Sequence, residues 1–218
     1  FWKQELEQFA SISLPSLTAS RPPCLGFHSI QQIIDVNQST LETLQNDLKI
    51  TFNTIFRAAW AITVYFFTRN DSVLFGSISS GRDSGIENIE SCAGLFISTI
   101  PVPVRISQSQ TLFQLLDQLQ RFHVRSLPHT HSSLIDIRKW ASIPGDLFQS
   151  IISFQNFPDN PEKKESVFEM KMINSDDHTD YPLLLTTTNA NGLFEVRLEF
   201  DSSRIHSHMA QKIILQFQ

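Results

Sequence analysis

Seven histidines, two cysteines and a run of hydroxyl side chains are the groups in this sequence whose types and spacing suggest chemistry. The tightest histidine cluster, His129-Thr130-His131 followed by Asp136, carries side chains of the kind that bind zinc. A His-x-His pair puts both rings on one face only in a strand, whereas Pro128 and Ser132-Ser133 read as a loop leading into a helix cap. No third and fourth ligand converge on the pair, so the histidines are read as structural or solvent-exposed and no metal is expected. His206 and His208, on an apparent surface helix, are weaker candidates still. Gly76-Ser77-Ile78-Ser79 lacks the second glycine that the sharp turn of a nucleophile elbow needs, which argues against a serine hydrolase. No glycine-rich loop precedes a helix with a Lys-Ser or Lys-Thr pair, which removes the phosphate-binding loop.

What remains is Ser80-Gly81-Arg82, a spacer, and the run Gly94-Leu95-Phe96-Ile97-Ser98-Thr99-Ile100-Pro101-Val102-Pro103-Val104-Arg105. Before it, Val73 to Ile78 alternates as a strand does, with Gly76 where another backbone or a ligand comes close. Gly81 and Gly85 break that strand around the charged pair Arg82-Asp83, and Gly81 reads as chosen for backbone geometry. A short amphipathic segment, Ile86 to Cys92, precedes one buried strand over Gly94–Arg105. Ser98 and Thr99 carry hydroxyls into apolar surroundings, where they must find partners. Arg105 at the strand end reads first as a structural ion-pair residue.

The elements that must position these residues follow from periodicity. Trp2 to Phe9 reads as a short helix, Leu14 to Pro23 as an exposed linker, and Gly26 to Asp35 as a strand. Ser39-Thr40-Leu41-Glu42 has capping-box spacing, so a helix is expected from about residue 39, and Thr51 is placed as the cap of the next. That helix, Phe52 to Thr68, carries Ile55, Phe56, Ala59, Ile62 and Phe66 at helical spacing and is apolar on other faces too, as a helix buried on most sides would be. Thr111 to Arg125 carries a stripe of Leu112, Leu115, Leu116, Leu119 and Phe122. A shorter helix is expected over Ser132 to Trp140. Phe148–Phe157, Val167–Ile173, Pro182–Thr188 and Phe194–Phe200 read as strands, Pro158 to Glu165 as a mobile loop, and Asn189-Ala190-Asn191-Gly192 as a hairpin turn. A last helix is expected from about Ser203. The order predicts an α/β class, a two-layer sandwich with a mixed sheet.

Composition bounds the function. With 41 % hydrophobic and 18 % charged residues, the 218-residue chain can bury a large core, and disorder is not expected. Eighteen phenylalanines against two tyrosines and three tryptophans favour core packing over ligand stacking. A net charge of −5 and the lack of a basic run argue against nucleic acid as a partner. Cys24 and Cys92 are too isolated for a disulfide framework, which suggests reduced thiols in the cytoplasm. The longest apolar stretch is far short of a membrane span. Both ends read as cut from a longer polypeptide.

The run SGR…GLFISTIPVPVR resembles the fifth core motif of the condensation domains of non-ribosomal peptide synthetases, approximately SGR…GLFINTLPVRV. Other segments resemble the family in the same order. Phe1 to Leu6 is similar to its YWKEQL, Ala58-Ala59-Trp60-Ala61 to QGAWALLL, and His129 to Trp140 to HxHxPLAEIQRW. Leu147 to Pro158 is similar to PLFESLFVFENYP, and Tyr181-Pro182-Leu183 to a later YPL strand.

The resemblance implies a chloramphenicol-acetyltransferase-like fold in which two halves form a V around a reaction tunnel, with residues 1–218 as the C-terminal half and 1–23 as its opening helix and linker. It implies amide-bond formation between aminoacyl or peptidyl thioesters held on the phosphopantetheine arms of upstream and downstream carrier proteins, beside an adenylation domain. No cofactor is then bound directly. The family's HHxxxDG motif lies in the other half, and this sequence holds no adjacent histidine pair, so no catalytic residue is expected here and the fragment alone is expected to be inactive. Ser80, Gly81, Arg82, Gly94, Phe96, Ser98, Thr99 and Arg105 are implied to shape the tunnel wall. Ser98 stands where the family usually has asparagine, Ser133 where it usually has proline, and the Pro144-Gly145-Asp146-Leu147 loop is shortened. A non-catalytic docking or structural module of the same fold, or an epimerization or acyl-coenzyme-A transferase relative, is the alternative.

Overall fold

The structure, a computed structural model, describes residues 1–9, 26–34, 36–82, 87–156, 179–190 and 193–218. The expected linker Leu14–Pro23, the loop Pro158–Glu165 and the strand Val167–Ile173 lie outside the described residues, as do Asp83, Gly85 and the hairpin residues Asn191-Gly192.

Six strands make one mixed sheet, β1 (Phe27–Ile34), β2 (Ser72–Ser79), β3 (Ser98–Arg105), β4 (Ser150–Asn156), β5 (Leu183–Ala190) and β6 (Leu193–Asp201), in the spatial order β1-β6-β5-β4-β2-β3. β5 and β6 form the expected hairpin, and β1 adds antiparallel to β6. β4 runs parallel to both β5 and β2, and β3 closes the far edge antiparallel to β2. The β2–β4 ladder is short, only Gly76↔Ile151 and Ser77↔Ile152, while β2–β3 is paired along its full length. The helices are α1 (Trp2–Leu6), α2 (Gln38–Leu48), α3 (Phe52–Thr68), α4 (Leu112–Ser126), α5 (Leu134–Ala141) and α6 (Ser207–Phe217).

α3 is the central helix. Thr51 caps it as expected, its hydroxyl accepting from the Thr54 N–H at 3.2 Å. Phe56, Trp60 and Val64, spaced four apart, are buried together with Arg57, Ala58, Ala61 and Thr63. The expected stripe is only partly right, because Ile62 and Phe66 are 38 % and 41 % exposed. In a helix apolar on every side, periodicity does not fix which face turns inward. Packing decides, through Phe56 against Phe154, Phe194 and Phe217 at centroid distances of 5.4, 5.2 and 6.3 Å.

One helix cap and one helix start differ from expectation. α2 begins at Gln38 with Asn37 as its cap, because Asn37 Oδ1 accepts from the Ser39 N–H at 3.0 Å, and Glu42 accepts from Gln38 instead of closing a box with Ser39. α6 begins at Ser207, later than Ser203, because Asp201 Oδ1 captures the Ser203 N–H and hydroxyl in a turn and His206 Nδ1 caps the helix. α5 begins where Ser133 Oγ accepts from the Asp136 N–H at 3.2 Å, which gives the serine at this position a capping role.

At Gly76 the close neighbour is an aromatic ring. A Cβ built there would stand 2.4 Å from Phe148 Cε2, and Phe148 is 1 % exposed and stacked on Tyr181 at 5.3 Å. Gly76→Ala is therefore expected to cost about 1–3 kcal/mol of stability through overpacking. Thermal unfolding checks this, and Gly76→Ala combined with Phe148→Leu should lose less than the two single changes add up to.

Candidate functional site

The two parts of the motif, separated in sequence, meet at one end of the β2–β3 ladder. Gly81 adopts φ +68°, in the left-handed region, and a Cβ there would lie 1.9 Å from the Phe96 carbonyl oxygen. Only glycine permits this approach of one backbone to the other. Arg82 then ties the intervening loop together. Its Nη1 donates to the carbonyls of Ile89 at 2.6 Å and Cys92 at 3.2 Å, and its guanidinium carbon sits 4.9 Å from the centre of the Phe96 ring. Ser80 Oγ accepts from the Arg82 N–H at 3.3 Å. Ser80, Gly81, Arg82, Gly94 and Phe96 are thus one local assembly, with Leu95 89 % exposed on its outer side.

The strand itself starts later than expected. Gly94 to Ile97 is outside it, because Phe96 turns back onto Gly81 and Arg82, and β3 runs only from Ser98. Ser98 lies opposite Ser79, and Thr99 opposite Ile78. Directly opposed residues share a face, and Ser77 and Ser79 share one by the strand period, so Ser77, Ser79 and Ser98 form a row of hydroxyls on the helix-covered side. Ser98 is half-buried, yet among the described residues its Oγ is fully buried without a hydrogen-bond partner. A hydroxyl left so carries a desolvation penalty of about 1–3 kcal/mol.

Arg105 does not join this group. It ends β3 opposite Ser72, seven strand positions from Ser98, which is about 23 Å at the usual rise per residue. There its guanidinium donates to Gln8 Oε1 and lies 5.5 Å from the Phe9 ring centre, fastening the segment after α1 to the edge strand. His129 packs as well, stacked 4.4 Å from Phe1 while its carbonyl accepts from Trp2 Nε1 at 3.2 Å. Among the described residues no three His, Cys, Asp or Glu side chains group as a metal site.

One feature of the site was not anticipated. Arg57, only 2 % exposed on α3, donates through Nε to Ser77 Oγ at 2.9 Å, and its Nη1 lies 3.3 Å from His123 Nδ1 on α4. A guanidinium has no acceptor, so His123 Nδ1 receives that bond with its lone pair. Among the described residues no carboxylate faces Arg57, and burial pushes its pKa down to about 10. Beside it Thr54 Oγ1 donates to Gln120 Oε1 at 2.6 Å. The signal in the sequence was an arginine inside an otherwise apolar helix, Phe56-Arg57-Ala58. A separate cavity of about 110 Å³, lined by Leu134, Arg138, Asp146, Leu147 and Tyr181, opens at the other end of the sheet, where burial and then Asp146 and Asp180 raise the Tyr181 pKa.

Comparison with known proteins places this arrangement. The family model described as Condensation domain matches residues 1–218. Chondramide synthase cmdD of Chondromyces crocatus is 29 % identical over 95 % of the chain, which covers 5 % of that synthase. Among solved structures, the four-domain nonribosomal peptide synthetase holo-AB3403, bound to AMP and glycine, superposes with a TM-score of 0.79 at 18 % identity over 99 % of the chain and 18 % of its own. The condensation domain of the Monacolin K polyketide synthase MokA gives 0.77 at 13 % identity, over 99 % of the chain and 54 % of its own. The chain thus spans about half of that condensation-domain structure and a small part of the curated synthase, and both structures share its fold.

Gly81→Ala is expected to unfold at lower temperature than Gly94→Ala, whose added Cβ meets only the Phe96 ring, at 3.2 Å. Differential scanning calorimetry of the two variants checks the difference. Equal melting points would mean that the backbone approach at Gly81 is not rigid.

Proposed function

The chain belongs to the condensation-domain family, and from that premise we propose that it is the C-terminal half of a peptide-synthetase condensation domain, supplying one wall of the tunnel in which carrier-bound thioesters are joined through an amide bond. The observation that carries the reading is the assembly at the end of β2 and β3, where Gly81 and Phe96 meet backbone to backbone and the half-buried Ser98 presents an unsatisfied hydroxyl oxygen. A buried polar atom without a protein partner suits a surface that is completed by substrate.

On this reading the two phosphopantetheine arms are substrates delivered by upstream and downstream carrier proteins, and an adenylation domain adjoins. Positioning of the two thioesters supplies much of the acceleration. The side chains described here shape and hold; none forms a nucleophile–base pair, so the proton-transferring histidine is assigned to the first half of the domain. Ser80, Gly81, Arg82, Gly94, Phe96, Ser98 and Thr99 are proposed as the wall, with Arg105 fixing the remote end of the edge strand. Among the described residues no single helix is long and apolar enough to cross a membrane, and we place the domain in the cytoplasm.

The test is condensation of two carrier-bound aminoacyl thioesters, followed by mass spectrometry of the product on the downstream carrier. The chain alone should give no dipeptide, and the chain joined to the half that precedes it in its parent synthetase should give it. Dipeptide formed by the chain alone would contradict the assignment of the catalytic histidine to the other half. No dipeptide from the joined halves would favour the docking-module alternative.

A further inference from the structure

The buried Arg57 has a role that the packing does not explain. Removing a guanidinium from water is costly unless a carboxylate or several acceptors compensate, and apolar replacements at such positions are often neutral or stabilising. Among the described residues Arg57 has Ser77 and His123, both uncharged acceptors, and no anion. Its position is the informative part. Ser77 is two strand positions before Ser79, about 7 Å, and Ser79 faces Ser98 across the β2–β3 ladder. The net positive charge is therefore seated about 10 Å from the wall along β2, on the same helix-covered face as the Ser77, Ser79 and Ser98 hydroxyls, in a low-dielectric layer where its field is weakly screened.

We propose that Arg57 acts as an electrostatic positioning residue for the condensation, its charge favouring the neutral amine of the acceptor over the ammonium at the wall formed by Ser79 and Ser98. The inference rests on the functional reading above. In the reaction the neutral amine adds through its nitrogen lone pair to the donor thioester carbonyl, and the carbonyl π pair moves to oxygen. Collapse of that oxyanion breaks the C–S bond, the donor arm leaves as a thiolate, and the proton lost from nitrogen ends on that sulfur. An ammonium has no lone pair and cannot start the sequence, so the fraction of free amine scales the rate.

The other titratable and charged groups on the elements around Arg57 are few. On α4 they are His123 in contact, then Arg121 paired with Asp117 and Arg125 paired with Glu5 of α1. Beyond β2, Arg82 is engaged by the Ile89 and Cys92 carbonyls, and Arg105 sits at the far end of β3. No charged residue occurs in β4, Tyr65 is the other titratable group on α3, and on α6, which also packs against α3, His208 and Lys212 are exposed. Arg57 is the buried one among these cations.

The experiment is the pH dependence of single-turnover condensation by the domain with both halves present, for the wild type, Arg57→Gln and Arg57→Lys. Glutamine keeps a donor for Ser77 and loses the charge; lysine keeps the charge. A unit charge about 10 Å away moves an amine by roughly one pH unit at an effective dielectric near 20. Arg57→Gln should therefore move the half-maximal rate up by roughly one pH unit, about tenfold slower on the acidic limb and close to wild type on the alkaline plateau, with Arg57→Lys restoring the profile. A glutamine variant slowed by the same factor at every pH, or a lysine variant no better than it, would overturn the proposal. So would an unmoved profile. If Arg57→Gln does not fold, the lysine variant decides by whether its profile stays at the wild-type position. A wild-type domain that forms no dipeptide at any pH overturns the functional reading and this inference with it, whereas a condensing wild type with unmoved variants overturns only this inference.

Discussion

The full-length antiparallel ladder between β2 and β3 is the constraint on which the rest of the site depends. It sets Ser79 against Ser98 and thereby brings the chain ends that leave the two strands to the same place. Gly81 and Phe96 then have to pass within a distance that leaves no room for a side chain. Arg82 holds what lies between them by two carbonyls and one aromatic face. A slip of the register by one residue would turn Ser98 to the opposite face and separate the glycine from the phenylalanine carbonyl.

The ladder is in turn positioned by α3. The helix lies against β2 and β4, and its aromatic side chains interlock with Phe154, Phe194 and Phe217 from three other elements. The guanidinium of Arg57 interrupts this packing, and it sits where β2 begins to diverge from β4, at the last pair of their short ladder, Ser77↔Ile152. The core therefore changes character along its length, from aromatic beneath β4 to β6 to hydrogen-bonded beneath the candidate wall, where Arg57, Ser77, His123, Thr54 and Gln120 meet.

Much of this was legible in the residues. Thr51 announced its helix by type and position, the stripe from Leu112 to Phe122 announced another, and the partial alternation in Phe194–Phe200 gave the strand. The resemblance of SGR and GLFISTIPVPVR to one motif was readable, but the reason the parts belong together was not, since a sequence does not show that a carbonyl passes over a glycine. Periodicity misplaced the inner face of α3 because every face is apolar. It treated Gly94–Arg105 as one strand because a loop made of Leu, Phe and Ile looks like one. Arg105 was grouped with Ser98 by adjacency in the motif, and an extended strand carries it to the opposite end. Asn37 was overlooked as a cap because Ser39 and Glu42 fit the commoner pattern, and only the short Asn37–Ser39 geometry separates the two.

The claim at the centre of this account is that the end of the ladder bearing Ser98 faces the arm-bound substrate. It is tested most directly by crosslinking in the two-half domain, with both native cysteines replaced by serine and a carrier protein bearing a haloacetyl group on its phosphopantetheine arm. Ser98→Cys should form the thioether adduct with the arm, and Arg105→Cys, about 23 Å away along the same strand, should not. Equal labelling of the two positions, or labelling at Arg105→Cys alone, would contradict the account.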